Sequence, residues 1–483
     1  MNRQYLYLAI ITFLALALRV IIARNTGLTF WDEANYLEEA NFLRGIGNQP
    51  LALGKPTFSL LIAISQTIVG NKDFAGQIVS AIMGAATVPV IYFLINGLFN
   101  RRAAILASAL LALSPFHIIL SRLILADTTS VFFLTLAILI GVGQKSNNLA
   151  ALSGIAASLS FTSNLKLLFI PLLFVLIYRQ DLKRLLIWFI FFSLPIIIWE
   201  IPHHLISHSF PSYLFQLINL YSSSADLGLY NPLLYPYTLL AYITWPILLL
   251  ALICPEKPRK ISLFLIWIFL FSLPLLINVH KAPRAISFII VPIVILAALG
   301  LDRILQKKFT QNIIIKILII LFFVSASIPM ILQTAKLQSA QKSLSFYFTN
   351  PQTQKIITTQ FPVTKYYLNN FNIAEFPNND KNKLKELHRE GYRYLVVDNQ
   401  AFVSFENTSL LQDIESHTIP LATFIDSAKS QEYYFLEHSD FHKTNLIQMI
   451  NLKEEVVRKR GPYLKIYDLD DYFLKKIAGH AKN

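Results

Sequence analysis

Two adjacent carboxylates follow directly on the first apolar segment of the chain. Asp32 and Glu33 lie in the sequence FWDEANY, residues 30–36, just beyond the apolar run 5–24. An ionisable group at a membrane boundary is costly to hold alone, so it is usually paired, solvated or functional. Two interpretations stay open. The pair could supply a general base for a substrate hydroxyl, or it could start a helix with Asp32 as the cap and Glu33 in the first turn.

A third carboxylate lies where one apolar segment ends and the next begins. Asp127 follows Arg122 in the sequence SRLILADT, residues 121–128. An acidic side chain in so apolar a segment needs a partner. The sequence allows a helix cap, an ion pair with Arg122 or a catalytic role.

Basic residues beside other apolar segments could bind an anion. Lys55 precedes the short apolar run 58–69, and His280, Lys281 and Arg284 form the cluster HKAPR. A lysine at this place could simply extend its ammonium to the headgroup level. The cluster favours an anion, either a lipid headgroup or a phosphorylated substrate.

The sequence gives little indication of a metal site. His204 and His208 have helical i, i+4 spacing next to His203, but no carboxylate follows at a standard ligand spacing. Solvated histidines at the membrane interface fit better, although the three leave room for a structural or assisting divalent ion. Cys254 is the single cysteine, so neither an intramolecular disulfide nor a cysteine cluster can form.

The elements that must position these residues are apolar helices. The 483 residues are 54% hydrophobic and 14% charged, with a mean hydropathy of +0.51. Because runs of about twenty apolar residues cross a bilayer, we expect a polytopic α-helical membrane protein with about eleven spans. The run 58–69 is too short and predicts a juxtamembrane or re-entrant helix in the first outer loop. The expected spans are 5–24, 75–98, 103–120, 124–143, 149–163, 165–178, 185–201, 237–254, 261–278, 284–302 and 313–332.

The distribution of lysine and arginine predicts the orientation. One alternating set of loops carries more of these residues, which assigns it to the cytoplasm together with the N-terminus. The loops of Asp32 and Asp127, residues 202–236 and residues 280–284 then share the outer face. The net charge is +14, but the basic residues lie between apolar runs and do not form a patch with interleaved aromatic residues. Nucleic-acid binding is therefore excluded.

The composition changes sharply near residue 335. Residues 1–334 form the predicted transmembrane module, and residues 335–483 form a small extracytoplasmic α/β domain. Its expected elements are a helix over 383–390 that ends at Gly391, and strands over 394–397, 432–436 and 463–467.

Four segments together resemble the GT-C glycosyltransferases, in the branch of protein O-mannosyltransferases and the lipid A aminoarabinose transferase. WDEANY resembles the "DEA.Y" element of that branch's first outer loop, and Lys55-Pro56 with the run 58–69 is similar to its "KPP" element and apolar helix. Leu113-Ser114-Pro115, with Ser121-Arg122 and Asp127, is similar to its second outer loop. GPYLKIY, residues 461–467, resembles tail segments of bacterial members.

The resemblance implies a reaction. A sugar would pass from a polyprenyl-phosphate donor to an acceptor hydroxyl on a protein, lipid or glycan, with inversion, at the outer face of the cytoplasmic membrane. Asp32 would be the general base, with Glu33 and Asp127 positioning groups, and no cofactor would be required. The implied substrate-binding residues are Tyr36, Lys55, Arg122, His280, Lys281 and Arg284. Two departures stand out: Thr57 replaces a second proline, and Ala285 replaces a tyrosine after Arg284.

Two other classes of function remain as alternatives. A transporter or flippase of lipid-linked saccharides should carry ionisable residues near the bilayer midplane, within repeated halves. Here the carboxylates lie at loop–helix junctions and the sequence shows no repeat. An envelope scaffold would leave the placement of Asp32 and Asp127 unexplained, so the sequence favours the enzyme.

Overall fold

The apolar runs fold as helices, as a chain in lipid must do to satisfy its own backbone groups. The computed structural model describes residues 3–23, 26–46, 54–70, 72–143, 146–207, 234–254, 258–277, 283–306, 317, 321, 325, 327–399, 401–404, 407–426 and 461–480. The chain divides into two units. The first comprises residues 1–24 and 36–335, and the second comprises residues 25–35 and 336–483.

The first unit is helical. Its helices are α1 (Arg3–Ala23), α2 (Trp31–Leu43, whose first turn belongs to the second unit), α3 (Pro56–Val69), α4 (Asp73–Leu98), α5 (Arg101–Ala112), α6 (Pro115–Leu120), α7 (Ala126–Val142), α8 (Asn147–Ser163), α9 (Ile170–Ile177), α10 (Leu182–Ser207), α11 (Leu234–Tyr242), α12 (Trp245–Leu252), α13 (Pro258–Ile277), α14 (Ser287–Gln306) and α15 (Ile328–Ala335). The expected short helix over 58–69 is α3.

Within the part of the chain that the structure describes, three helices are long and apolar enough to cross a membrane, namely Asp73–Leu98, Leu182–Ile201 and Arg284–Gln306. Shorter apolar helices accompany them, so the count of about eleven spans stays a prediction. Two expected continuous spans are wrong. The run 103–120 breaks at Leu113 and Ser114 because Pro115 starts a new helix, and the run 237–254 breaks where Thr244 has φ 70. The expected span 313–332 lies mostly outside the described residues.

Small residues let neighbouring helices approach closely. A Cβ on Gly154 of α8 would lie 2.5 Å from the carbonyl oxygen of Trp188 on α10. A Cβ on Gly300 of α14 would lie 2.2 Å from the carbonyl oxygen of Leu250 on α12. Substitution at either position would force the backbones apart, which is the usual reason for small residues between membrane helices.

The second unit contains a five-stranded mixed sheet in the order β2-β1-β3-β5-β4. Strand β1 pairs in parallel with β2 and β3, and β5 pairs antiparallel with β3 and β4. The strands are β1 (Lys355–Thr358), β2 (Ile373–Glu375), β3 (Tyr392–Asp398), β4 (Ala422–Ile425) and β5 (Tyr463–Asp468). The helices are α16 (Leu344–Tyr347), α17 (Phe361–Tyr367), α18 (Lys381–Arg389), α19 (Ala401–Ser404), α20 (Ser409–His417) and α21 (Leu469–His480).

Three predicted elements of this unit are confirmed. Helix 383–390 is α18, strand 394–397 is β3 and strand 463–467 is β5. The expected burial of Leu384 and Leu387 is also observed, because both pack in the core with Leu395 of β3. The strand expected over 432–436 lies outside the described residues.

Candidate active site

The first turn of α2 is held by hydrogen bonds to Glu33. The Glu33 carboxylate is fully buried, and its Oε2 accepts hydrogen bonds from the backbone N–H groups of Thr29 (2.5 Å) and Phe30 (3.0 Å) and from the Thr29 hydroxyl (2.8 Å). A glutamate in the first turn that reaches back to the preceding N–H group is half of a capping box. Because α2 begins at Trp31, Asp32 lies inside the first turn and is not the cap that one interpretation of the sequence made it, whereas Glu33 lies in the first turn as that interpretation expected. Asp32 lies beside it, half-buried.

Helical spacing puts three polar side chains on one face of α2. Asp32, Tyr36 and Glu39 are separated by four and then three residues, so they follow each other along the helix. Tyr36 is fully buried, and Glu39 is 3% exposed. This face therefore carries two carboxyl groups with a phenol between them.

Lys55 packs on this tyrosine. The Lys55 ammonium donates a hydrogen bond to the Tyr36 hydroxyl and lies 4.9 Å from the centre of the Tyr36 ring. The ring in turn packs edge-on against Phe58 at 5.1 Å. Lys55 directly precedes α3, whose Pro56 starts the helix. The geometry restricts the lysine more than snorkelling to a headgroup would require, because its ammonium is oriented by a buried group.

Glu39 is a buried carboxyl group that sequence analysis missed. Its Oε2 accepts a hydrogen bond from the Ser59 hydroxyl at 2.5 Å, and its Oε1 has no hydrogen-bond partner among the described residues. Burial raises the pKa of Glu39 to about 7, against the lowering effects of the Ser59 hydrogen bond and of the Lys55 charge. The helical spacing from Asp32 and Tyr36 was the signal that could have found it.

Asp127 and Arg284 form a buried ion pair. Arg284 Nη1 lies 3.8 Å from Asp127 Oδ2, with side-chain exposures of 11% and 3%. The Ser287 hydroxyl donates to Asp127 Oδ1 at 3.4 Å. Asp127 lies in the first turn of α7, and Arg284 lies in the 3₁₀ turn that precedes α14. The structure thus brings together two predicted site residues that are far apart in sequence.

Arg122 is also fully buried, in the turn between α6 and α7. The ion pair that the structure shows for Asp127 is with Arg284, whereas the sequence suggested Arg122. His280, Lys281 and His208 lie outside the described residues, as does the side chain of His203; His204 is exposed. Among the described residues no three His, Cys, Asp or Glu side chains are grouped so that they could hold a metal ion.

A further buried arginine has a structural role. Arg19 of α1 donates to the carbonyl oxygens of Leu111 (3.5 Å) and Ala112 (3.4 Å), which end α5, and it contacts His117 Nδ1 at 2.9 Å. A guanidinium at a helix C-terminus satisfies carbonyl groups that have no partner within the helix. We therefore separate this cluster from the candidate site.

The chain is similar to known proteins in part of its sequence and in most of its fold. The family model of dolichyl-phosphate-mannose-protein mannosyltransferases matches residues 49–204. This region contains Lys55, α3 and Asp127. No curated protein matches the chain in sequence.

Three solved structures illustrate the likeness in fold. ArnT from Cupriavidus metallidurans bound to undecaprenyl phosphate is 13% identical, with a TM-score of 0.65 over 86% of this chain and 95% of that chain. AglB from Archaeoglobus fulgidus, in complex with an inhibitory peptide and a dolichol-phosphate, is 12% identical, with a TM-score of 0.54 over 83% and 70%. The Archaeoglobus fulgidus oligosaccharyltransferase in complex with Zn and sulfate is 13% identical, with a TM-score of 0.55 over 87% and 72%.

Proposed function

We propose that this chain transfers a sugar from a polyprenyl-phosphate donor to an acceptor hydroxyl. The proposal starts from its membership in the GT-C glycosyltransferase superfamily, on the mannosyltransferase- and ArnT-like side. The observation that carries this proposal is the fold shared with an ArnT structure that holds undecaprenyl phosphate. The acceptor is a protein, lipid or glycan hydroxyl. The reaction takes place at the outer face of the cytoplasmic membrane, where positive-inside loops put residues 30–36.

In this proposal Asp32 is the general base. Its carboxylate takes the proton from the acceptor hydroxyl while the acceptor oxygen attacks the anomeric carbon from the side opposite the phosphate. The anomeric C–O bond breaks, the configuration inverts, and the products are the glycosylated acceptor and the polyprenyl phosphate. The capping hydrogen bonds of Glu33 support this role, because they fix the turn that carries Asp32.

Cationic groups stabilise the departing phosphate. Lys55 is our first assignment, because the buried phenol of Tyr36 orients its ammonium. Arg284 is the second, and Asp127 then acts by orienting Arg284 rather than by contacting the acceptor. Tyr36 positions Lys55, and His280, Lys281 and Arg122 complete the proposed set of substrate-binding residues. The reaction takes no organic cofactor.

A transfer assay tests the proposal. Purified protein in lipid nanodiscs is incubated with a panel of polyprenyl-phosphate sugars and with candidate acceptors, and both released polyprenyl phosphate and glycosylated product are quantified. We expect equal amounts of the two products from one donor. NMR should show that the new glycosidic bond has the anomeric configuration opposite to that of the donor.

Two results would contradict the proposal. Retention of the donor's anomeric configuration would exclude single displacement with Asp32 as the base. Movement of an intact lipid-linked sugar across a proteoliposome membrane, without cleavage of the sugar–phosphate bond, would instead support the flippase alternative.

A further inference from the structure

The chain immediately before α2 is irregular but buried. We call residues 26–30 the anchor segment; Thr26 and Leu28 are 0% exposed and Phe30 is 3% exposed. Buried backbone groups outside regular structure must find hydrogen-bond partners elsewhere. Here two partners come from distant parts of the chain. The Leu28 N–H donates to the Tyr367 hydroxyl at 2.9 Å, and the Thr26 carbonyl accepts from the Ser339 N–H at 2.8 Å.

Gly27 allows this close approach. Its φ is +69, a conformation that side-chain-bearing residues rarely adopt, and a Cβ there would lie 3.2 Å from both the Ser339 Cβ and the Tyr367 hydroxyl. The backbone conformation therefore favours glycine, and a side chain at this position would make Ser339 or Tyr367 shift by a few tenths of an ångström.

In the second unit, hydrogen bonds to neighbouring elements hold the helix that carries Tyr367. Tyr367 ends α17, and Thr364 of the same helix bonds to the Thr358 hydroxyl of β1 at 2.8 Å and donates to Gln341 Oε1 at 3.3 Å. Thr358 and Thr364 are fully buried. The Tyr367 hydroxyl is thus presented from an element that the sheet supports.

The anchor segment continues into the turn that carries Asp32. Thr29 and Phe30 donate their backbone N–H groups to Glu33, and the Glu33 N–H donates to the Phe30 carbonyl at 3.2 Å. The covalent backbone of residues 28–30 therefore joins the Tyr367 contact at Leu28 to the hydrogen bonds that Thr29 and Phe30 donate to Glu33, the residue next to Asp32. All of these contacts lie within the second unit.

We propose that the second unit positions the general base, because the Tyr367 hydroxyl fixes the anchor segment and through it the orientation of Asp32. The inference rests on the proposed function, since it assigns a role to Asp32. In this inference Tyr367 is a positioning residue that acts through its contact with Leu28. The rate of proton transfer falls steeply when a general base is no longer held in the reactive geometry. The contact between Tyr367 and Leu28 should therefore affect turnover rather than donor binding.

Tyr367→Phe tests the inference in the full-length protein in nanodiscs. The variant keeps the ring and removes only the hydroxyl that accepts from Leu28. We expect kcat to fall roughly 10-fold while the donor KM stays at the wild-type value. The matched control is Tyr394→Phe, a half-buried tyrosine of the same domain whose ring packs on Phe348, and it should keep the wild-type kcat.

Hydrogen exchange gives a readout that does not depend on activity. Amide exchange in a peptide covering residues 26–33 should accelerate in Tyr367→Phe and stay unchanged in Tyr394→Phe. Faster exchange with an unchanged kcat would overturn the positioning role, because a loosened anchor would then have no effect on turnover. Unchanged exchange would overturn the anchor itself.

A pair of glycine variants separates fit from backbone strain. Gly27→Ala places a methyl group against Ser339 and Tyr367, whereas Gly45→Ala has a similar φ of +73 with nothing within 4 Å of the added Cβ. We expect Gly27→Ala to lower kcat and Gly45→Ala to lower only stability. An equal loss of kcat in both variants would overturn the inference. A wild-type enzyme that transfers no sugar would reject the proposed function instead, and the exchange data would still report on the anchor.

Discussion

The two halves of α2 are supported in different ways. Its first turn is held by backbone N–H groups that donate to Glu33, and by the anchor segment that precedes it. Its second half is held through side chains of the α3 segment, where Lys55 contacts Tyr36 and Ser59 donates to Glu39. One helix thus carries a first turn in which a carboxylate accepts hydrogen bonds from backbone N–H groups, and a second half in which side chains contact one another.

The contacts of the first turn fix its geometry, whereas those of the second half also set its charge. Hydrogen bonds to the backbone fix a position, and their donors do not titrate in the neutral pH range. A carboxyl group with a pKa near 7 changes its charge there, so the second half of α2 can change its electrostatics without moving. We therefore expect changes in the first turn to affect kcat, and changes in the second half to affect donor binding and pH dependence.

Asp32→Asn should have the largest effect. The amide keeps the shape of the side chain and removes the base, so kcat should fall roughly 10³-fold with little change in donor KM or in melting temperature. The control is Glu38→Gln, which removes a carboxylate from the same helix outside the face of Asp32, Tyr36 and Glu39. Turnover by Asp32→Asn at the wild-type rate would contradict the assignment of Asp32 as the general base. The first turn of α2 would then have no catalytic role that differs from that of the second half.

Lys55→Ala should have the next largest effect and a different kinetic pattern. Loss of the ammonium should weaken binding of the donor phosphate and slow its departure, so kcat/KM should fall roughly 10²-fold with contributions from both parameters. Lys72→Ala removes an exposed lysine that directly precedes α4 and should leave both parameters unchanged. A loss confined to kcat would show that the second half of α2 acts like the first.

The elements that local pattern specifies were predictable from the sequence. Amphipathic spacing and Gly391 gave α18, and the apolar run 58–69 gave α3, which begins two residues earlier at Pro56. The kinks at Ser114 and Thr244 were missed, because hydropathy over twenty residues averages over a single break. Hydropathy therefore gives the presence of apolar helices better than their continuity.

In the candidate site, too, the residues were predictable from local sequence pattern, whereas their contacts were not. Asp127 and Arg284 were each recognisable as charged residues beside apolar segments, but their pairing is a tertiary contact that no local pattern encodes. The contact between Leu28 and Tyr367 joins residues 339 positions apart in the chain. Glu39 differs, because its spacing from Tyr36 was visible and only its burial was not.

Glu39→Gln should change how stability depends on pH. The pKa of Glu39 in the folded protein is raised from an ordinary value of 4.5 to about 7 by burial. The stability that its neutral form provides is therefore complete below the unfolded value and is lost as the pH rises through about 7. The glutamine variant has no such loss, so its melting temperature should exceed that of the wild type by a few degrees at pH 8 and match it at about pH 4.

The same variant tests the electrostatic role of the second half of α2. An ionised Glu39 partly offsets the Lys55 charge, so the donor KM of the wild type should rise between pH 6 and pH 8 by about two- to threefold. The phosphodiester donor is a strong acid with no ionisation in this range. The Glu39→Gln variant should keep a constant donor KM, and a parallel pH dependence in both proteins would assign the titration to another group.

Ser59→Ala should give the smallest effect. The Ser59 hydrogen bond favours the ionised form of Glu39, so its removal should raise the pKa of Glu39 further. The pH range over which the protein loses stability then extends to a higher pH. Its upper end should move upward by roughly half a pH unit, as expected for one hydrogen bond. Ser65→Ala, on the same helix α3, is the control. A pH range of stability loss that moves downward would mean that Ser59 supports the neutral form of Glu39 rather than the ionised form.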